Sequence, residues 1–185
     1  MTYAIQIQET GAPEVMERVT TVIATPQSGE VLIRNQAAAV NFIDTIIRRG
    51  EMPEGMMPRL PHVPGVEGAG IVEAVGDNVK GLSVGDRVVW MGTVGAGGYG
   101  SHSVVGADYV LPLPDSLDFS TAAALPVNGM TAWHMLVNLG GAKAGQTVLI
   151  HAAAGGVGTL AIQIAKSLGM TVIGSVSTNK IDYTL

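Results

Sequence analysis

The chain has no cysteine. That excludes disulfides and every thiolate metal site, and leaves His, Asp and Glu as the strong metal ligands. The four histidines, His62, His102, His134 and His151, show no ligand spacing such as i, i+4 on one helix. No metal is therefore expected. Apolar runs are broken by Gly, Pro or polar residues well short of the ~18 residues a membrane span requires, so no membrane partner is expected. The opening Met1-Thr2-Tyr3-Ala4 lacks a basic stretch followed by an apolar one. No secretory signal is visible, and a cytoplasmic location is the expectation. Lys and Arg form no stripe, which argues against nucleic acid as a partner.

What is present is apolar and glycine-rich. The 185 residues are 47% hydrophobic with 25 Gly, and mean hydropathy is +0.36. Such a composition suits a packed α/β interior and opposes disorder. The length holds one generous domain, or one domain and part of another. Charge is uneven. Residues 1–120 carry seven Lys/Arg against fourteen Asp/Glu, whereas residues 121–185 carry three Lys and one Asp. A mildly positive segment beside an acidic one agrees with an anionic ligand.

The first part reads as β. Strands are expected at Tyr3–Gln8, Val15–Ala24, Glu30–Val40, Gly65–Val75, Asp86–Trp90, Ser101–Val105 and Tyr109–Leu113, each bounded by Gly, Asp or Pro. Residues 41–50 read as a short helix closed by Gly50. Residues 51–64 form a Met- and Pro-rich loop, suited either to capping an apolar pocket or to ordinary loop duty. The pattern changes near Ser120. Helices are expected at Ser120–Ala124 and Met130–Leu139, with Pro126 and Gly129 between them. The strand Val148–Ile150, the helix Val157–Leu168 and the strand Thr171–Val176 then form a βαβ unit. In that helix Val157, Leu160, Ala161, Ile164 and Leu168 make one apolar stripe.

Between the first strand and the helix of this unit lies His151-Ala152-Ala153-Ala154-Gly155-Gly156-Val157-Gly158. A glycine-rich turn that opens a helix lets backbone approach a phosphate and presents unpaired N–H groups to it. Ala153 holds the place of the first glycine of a strict G-x-G-x-x-G, so the motif draws its weight from the strand, helix and strand around it. A tight turn in some other parallel fold is the alternative. Ala154, Gly155, Gly156, Val157 and Gly158 are the candidate contacts to a dinucleotide. After the second strand come Gly174, Ser177, Thr178 and Lys180, with no acid before Asp182. An acid there would serve a ribose 2′-hydroxyl, whereas donors and a positive charge suit a 2′-phosphate, so NADPH is expected over NADH. The alternative for Lys180 is a solvated lysine at a helix start.

Five segments now stand in order: Asn41-Phe42-Ile43-Asp44, Pro64-Gly65-Val66-Glu67-Gly68-Ala69-Gly70, Gly85-Asp86-Arg87-Val88, Ala122-Ala123-Ala124-Leu125-Pro126 and His151–Gly158. Together they resemble the quinone oxidoreductase (zeta-crystallin-like) branch of the zinc-free medium-chain dehydrogenases/reductases, over essentially the whole chain. The resemblance implies a GroES-like β-barrel catalytic domain, residues 1–122, followed by the first βαβ unit of a Rossmann domain, residues 123–185. Relatives run well beyond this length, so the Rossmann domain is expected to be incomplete and the chain truncated, with a homodimer implied only for a full-length form.

The resemblance also implies chemistry. Asn41 and Val66 stand where zinc-dependent relatives have a ligand Cys and a ligand His. Without a Lewis acid to polarise an ordinary carbonyl, hydride from NADPH would go to an already electrophilic small molecule, a quinone or an enone. Reduction of enals or enoyl thioesters on the same scaffold is the alternative, as is a non-catalytic fragment. Asn41 is implied as a contact to the cofactor ribose or to the oxygen of the electron acceptor, and serves equally as a helix N-cap. Asp44 either orients the site or stabilises the first helical turn. Thr131 is implied as a cofactor contact. Ile46 stands where the family commonly has an acceptor-lining Tyr, which weakens the implied preference for quinones. Glu67, inside an apolar glycine-rich strand, reads as a buried, paired carboxylate.

Overall fold

The computed structural model describes residues 2–184. Residues 1–126 and 127–185 form two compact units. In the first, β-branched and apolar residues between Gly and Pro turns make strands β1 (Tyr3–Ile7), β2 (Met16–Thr20), β3 (Glu30–Ala38), β4 (Glu67–Val75), β5 (Arg87–Met91), β6 (His102–Gly106) and β7 (Val110–Pro112). Five of these form an antiparallel sheet in the order β6-β3-β4-β5-β7. β1 and β2 make their own antiparallel ladder, with single bridges from Ala4 to Gly100 and from Ile7 to His62.

The core of this unit gathers Val31, Ile33, Val72, Val88 and Trp90, all at most 1% exposed. Each aliphatic side chain so buried contributes roughly 1.5–3 kcal/mol. The small residues of β4 make room for the indole. A Cβ at Gly68 would stand 2.9 Å from both Trp90 Cζ2 and Ala37 O. Trp90 Nε1–H donates to Asn35 Oδ1 at 3.1 Å, so the buried indole keeps its hydrogen bond.

Between β3 and β4 lies α1 (Phe42–Arg49), with Asn41 as N-cap and Gly50, at φ +77°, as its left-handed C-cap. The buried Arg48 side chain donates to Gly11 O, and Gly11 N–H returns a bond to Arg48 O at 2.8 Å. After β7, the short helix α2 (Phe119–Ala123) buries Ala122 and Ala123 beside Ala69 and Leu113.

In the second unit, helix α3 (Pro126–Trp133) runs into a π-helical segment, His134–Leu139. Strands β8 (Thr147–His151) and β9 (Thr171–Ser175) pair in parallel and are joined by α4 (Gly156–Ser167). Val157, Leu160, Ala161 and Ile164 of α4 pack with Val148, Ile150 and Val172. Leu168 is the half-buried C-cap, and Ala165, outside the expected stripe, is fully buried. A 3₁₀ turn, Thr178–Lys180, and the short α5 (Ile181–Thr184) follow. Leu185 lies outside the described residues. Among the described residues no helix is long and apolar enough to cross a membrane.

Two expectations need correction. The strand placed at Val15–Ala24 is only β2, preceded by a 3₁₀ turn at Pro13–Val15. Its partner supplies the reason: β1 is five residues long, and pairing ends with Tyr3 opposite Thr20. Val22, left without a partner strand, is 91% exposed. The helix expected from Met130 starts instead at Pro126. Proline is tolerated at a first helical position, where its missing N–H would have found no partner in any case. Gly129 thus lies inside the helix, and a Cβ there would make ordinary contact with Leu160 Cδ1 at 3.8 Å. Gly129→Ala is expected to raise stability by roughly 0.5–1 kcal/mol, read as a higher denaturation midpoint.

Candidate functional site

The carboxyl ends of β8 and β9 lie side by side in the second unit. His151 is in register with Ser175, and His151 Nδ1 lies 2.8 Å from Ser175 Oγ. Directly after β8 the chain turns. Ala152 adopts φ +51° in the left-handed region, a conformation that costs an L-residue roughly 1–2 kcal/mol. Gly155 N–H closes the turn onto Ala152 O at 2.8 Å, and Ala153 N–H donates to Ser175 O at 3.1 Å, tying the turn to β9.

Gly155 is the N-cap of α4, and Thr159 N–H donates to Gly155 O at 2.9 Å. The N–H groups of Gly156, Val157 and Gly158 are the first-turn donors that a helix's own ladder leaves over, at the positive end of its dipole. Phosphate is the natural ligand of such an end.

Close approach dictates the small residues. A Cβ at Gly158 would stand 2.5 Å from Ala152 O and 2.8 Å from Ala153 Cα. One at Gly174 would stand 2.9 Å from Ala153 Cβ, so β9 and the turn are in contact there. One at Gly156 would meet Asn128 Oδ1 at 2.9 Å. Asn128, on α3, was not singled out in the sequence, because nothing local marks a residue that approaches from an earlier helix. Ala154 and Val157 are half-buried, while Gly155 and Gly156 are exposed.

The remaining candidates of this unit spread from the turn. Ser177, Thr178 and Lys180 are exposed in the 3₁₀ turn after β9. Ser177 O–H donates to Asn179 Oδ1 at 2.7 Å. Thr131 O–H is bonded back to Val127 O on its own helix at 2.6 Å, which leaves its oxygen lone pairs to a ligand.

The first unit holds Asn41 and Asp44, and both are buried. Asp44 stands in capping-box relation to Asn41 at the third position of α1, and its Oδ2 accepts from Asn41 N–H at 2.9 Å. The same Oδ2 accepts from Tyr99 O–H at 2.9 Å, and Oδ1 accepts from Gly65 N–H at 3.2 Å. The Asn41 amide turns to Glu67, with Nδ2–H donating to Oε1 at 2.7 Å. Glu67 is fully buried and paired, as its place in an apolar strand implies. His62, 6% exposed, feels the Asp44 charge. Tyr99 escaped the sequence reading, as did the links of His62 and Gly65 to Asp44, since these are made only by folding.

The electrostatics follow from burial. Burial lowers the His62 imidazole below its ordinary value, and the Asp44 charge opposes that shift only in part. The Tyr99 phenol is pushed well above its ordinary range, first by burial and then by the charge and hydrogen bond of Asp44. Both groups are therefore neutral at pH 7. Among the described residues no set of three or more His, Asp or Glu gathers as metal ligands would.

Residues 27–115 match the alcohol dehydrogenase GroES-like domain. The chain is 43% identical over 178 residues to the quinone oxidoreductase of Sus scrofa, covering 96% of this chain and 53% of that protein. Among solved structures, the quinone oxidoreductase of Pseudomonas syringae pv. Tomato DC3000 superposes with a TM-score of 0.90 at 44% identity, covering 100% of this chain and 56% of that one. The Escherichia coli quinone oxidoreductase complexed with NADPH gives 0.88 at 38% identity, covering 98% of this chain and 55% of that one. The chain thus spans about half the length of the relatives it matches.

Two outcomes follow from this geometry. Gly158→Ala is expected to destabilise the chain by about 1–3 kcal/mol in denaturant titration, and Gly155→Ala much less, because a Cβ there meets only Ala152 O at 3.2 Å. His62 should make folding pH-sensitive. The unfolded chain takes up a proton near the ordinary value of 6.5 and the folded chain only at lower pH. Stability therefore falls as pH drops below that value. Unfolding curves of the native chain and His62→Phe should diverge between about pH 7 and 5; parallel pH profiles would refute this account of His62.

Proposed function

We propose that this chain, a member of the quinone oxidoreductase branch of the medium-chain dehydrogenase/reductase superfamily, serves NADPH-dependent reduction of a quinone or a similarly conjugated small molecule. The observation that carries the reading is the strand–turn–helix at residues 147–167, closed so tightly that Gly158 admits no Cβ without displacing the backbone of Ala152 and Ala153. Its likeness to an NADPH-complexed quinone oxidoreductase supports the choice of cofactor. A cytoplasmic setting accompanies this reading.

The residues present fit a dinucleotide. Gly155, Gly156, Val157 and Gly158 would hold the pyrophosphate through backbone N–H groups, with Ala154 shaping the turn and Gly174 letting β9 lie against it. Ser177, Thr178 and Lys180 would hold the 2′-phosphate, and no carboxylate between Gly174 and Ile181 opposes it. Ser177 would release Asn179 to do so. Thr131, its proton given to Val127, would meet a donor on the ligand.

Bound NADPH supplies hydride; the chain supplies placement and hydrogen bonds. Asp44, already accepting from three donors, acts as a positioning residue that holds the backbone of Asn41. Asn41 would offer its amide to a nucleotide hydroxyl or to the oxygen of the electron acceptor.

Fluorescence titration of the 185-residue chain with NADPH and NADH tests the binding half. NADPH is expected to bind about tenfold tighter, with Lys180→Ala removing most of that preference. NADPH oxidation with 1,4-benzoquinone, 9,10-phenanthrenequinone and a crotonyl thioester tests the chemistry. No NADPH binding, or turnover of the thioester with inert quinones, overturns the reading.

A further inference from the structure

Strand β6 begins at His102, which stands opposite Arg34 of β3. Three polar side chains join in series there. Ser101 Oγ lies 3.0 Å from His102 Nδ1, His102 Nε2 lies 2.9 Å from Glu73 Oε2, and Arg34 Nε donates to Glu73 Oε1 at 2.8 Å. We propose that this relay is a second catalytic site, at which Ser101 is acylated by small activated esters with His102 as its base. It lies wholly within the first unit, and the proposed function uses no part of it.

The hydrogen-bond roles follow from the carboxylate. Glu73 is ion-paired with Arg34 and 35% exposed at its side chain, so it is charged and only accepts. The hydrogen between it and His102 therefore sits on Nε2. In the neutral imidazole the other nitrogen is then an acceptor, and it takes the Ser101 O–H. Nucleophile, base and orienting carboxylate stand in the order that activates a hydroxyl. Tyr3 N–H adds a bond to Ser101 Oγ at 3.1 Å, which steadies negative charge on that oxygen as its proton leaves.

There is also room for an acyl group. Gly100 and His102, the chain neighbours of Ser101 on either side, both line a cavity of about 250 Å³. Val22, Ile23, Leu32 and Val104 give it apolar walls. Ser101 itself is half-buried, and the His102 side chain is 14% exposed.

The reaction is an ordinary acyl transfer. Ser101 Oγ bonds to the ester carbonyl carbon as its proton passes to His102 Nδ1. The bond to the alcohol oxygen breaks, and the proton leaves with the alcohol. Water then repeats the sequence on the acyl-serine, giving a carboxylic acid and the free hydroxyl; nothing is oxidised or reduced. Ser101 N–H is committed to Tyr3 O at 2.8 Å, so the nucleophile's own amide gives no hydrogen bond to a developing oxyanion. Lack of one such donor costs an acyl transfer on the order of 10²–10³ in rate. The site is thereby confined to esters with good leaving groups, aryl esters above all.

The test uses the 185-residue chain with p-nitrophenyl acetate and no nucleotide, so it is independent of the reductase reading. A burst of p-nitrophenolate is expected, with the acetyl group located on Ser101 by peptide mass spectrometry. Ser101→Ala should abolish the burst, and His102→Gln should slow acetylation about 100-fold, each with its melting temperature measured alongside. Glu73→Gln should slow it roughly tenfold or more. The ¹⁵N signals of the His102 ring should show the hydrogen on Nε2 in the native chain and a mixture of tautomers in Glu73→Gln. No burst in the native chain overturns the proposal. So does an acetyl group found only on lysines, the N-terminal amine or His102, or a native ring with its hydrogen on Nδ1; these need no variant to fold. A folded Ser101→Ala or His102→Gln that reacts like the native chain overturns it as well.

Discussion

A single carboxylate organises the first unit. Asp44 accepts from the start of α1, from Gly65 and from Tyr99, segments far apart along the chain. A carboxylate 4% exposed is tolerated only because donors replace its lost water. In return it fixes what surrounds it. Gly65 sits at φ +96°, and a Cβ there would stand 2.7 Å from Tyr99 Cδ1, so the hydrogen bonds and the packing demand the same local shape. Helix α1 has eight residues, too few to persist alone. Asp44 ties down its beginning, and the reciprocal bonds of Arg48 and Gly11 tie down its end.

A comparable economy governs the second unit, by exclusion rather than attraction. The βαβ geometry brings the turn, the first turn of α4 and the end of β9 within van der Waals distance at Ala153, Gly158 and Gly174. A Cβ at Gly158 or at Gly174 would force the turn away from the helix start or from β9. The exposed helix start that results is a consequence of packing before it is a feature of recognition, and the phosphate-binding reading builds on that.

Local signals carried most of the fold. Alternation and Gly/Pro punctuation located the strands, and the 3.6-residue stripe located α4, because both depend on neighbours in sequence. The reading failed where a distant partner decides. Residues 21–24 have β-branched character but no strand to pair with, and Pro126 looks like a breaker until its place at the first helical position is known. The π-helical His134–Leu139 has no sequence signature. The candidate site divides in the same way. Residues 151–158 declare themselves by spacing, and Glu67 by being a charge among apolar residues. Tyr99, His62 and Asn128 do not, since nothing in their own surroundings distinguishes them from ordinary surface residues.

Ala152 turns the strand end with a backbone that alanine rarely adopts. Its neighbours, bonded across the turn and to Ser175, hold it there regardless. Selection at this position consequently acts on the main chain, not on the methyl group. Glycine relieves the strain and asparagine tolerates it, while valine, isoleucine and threonine, crowded at Cβ, are shut out. A library randomised at this codon and sorted for folded protein should return a short menu of unbranched residues, at a position whose side chain, exposed as it is, would otherwise pass for freely variable.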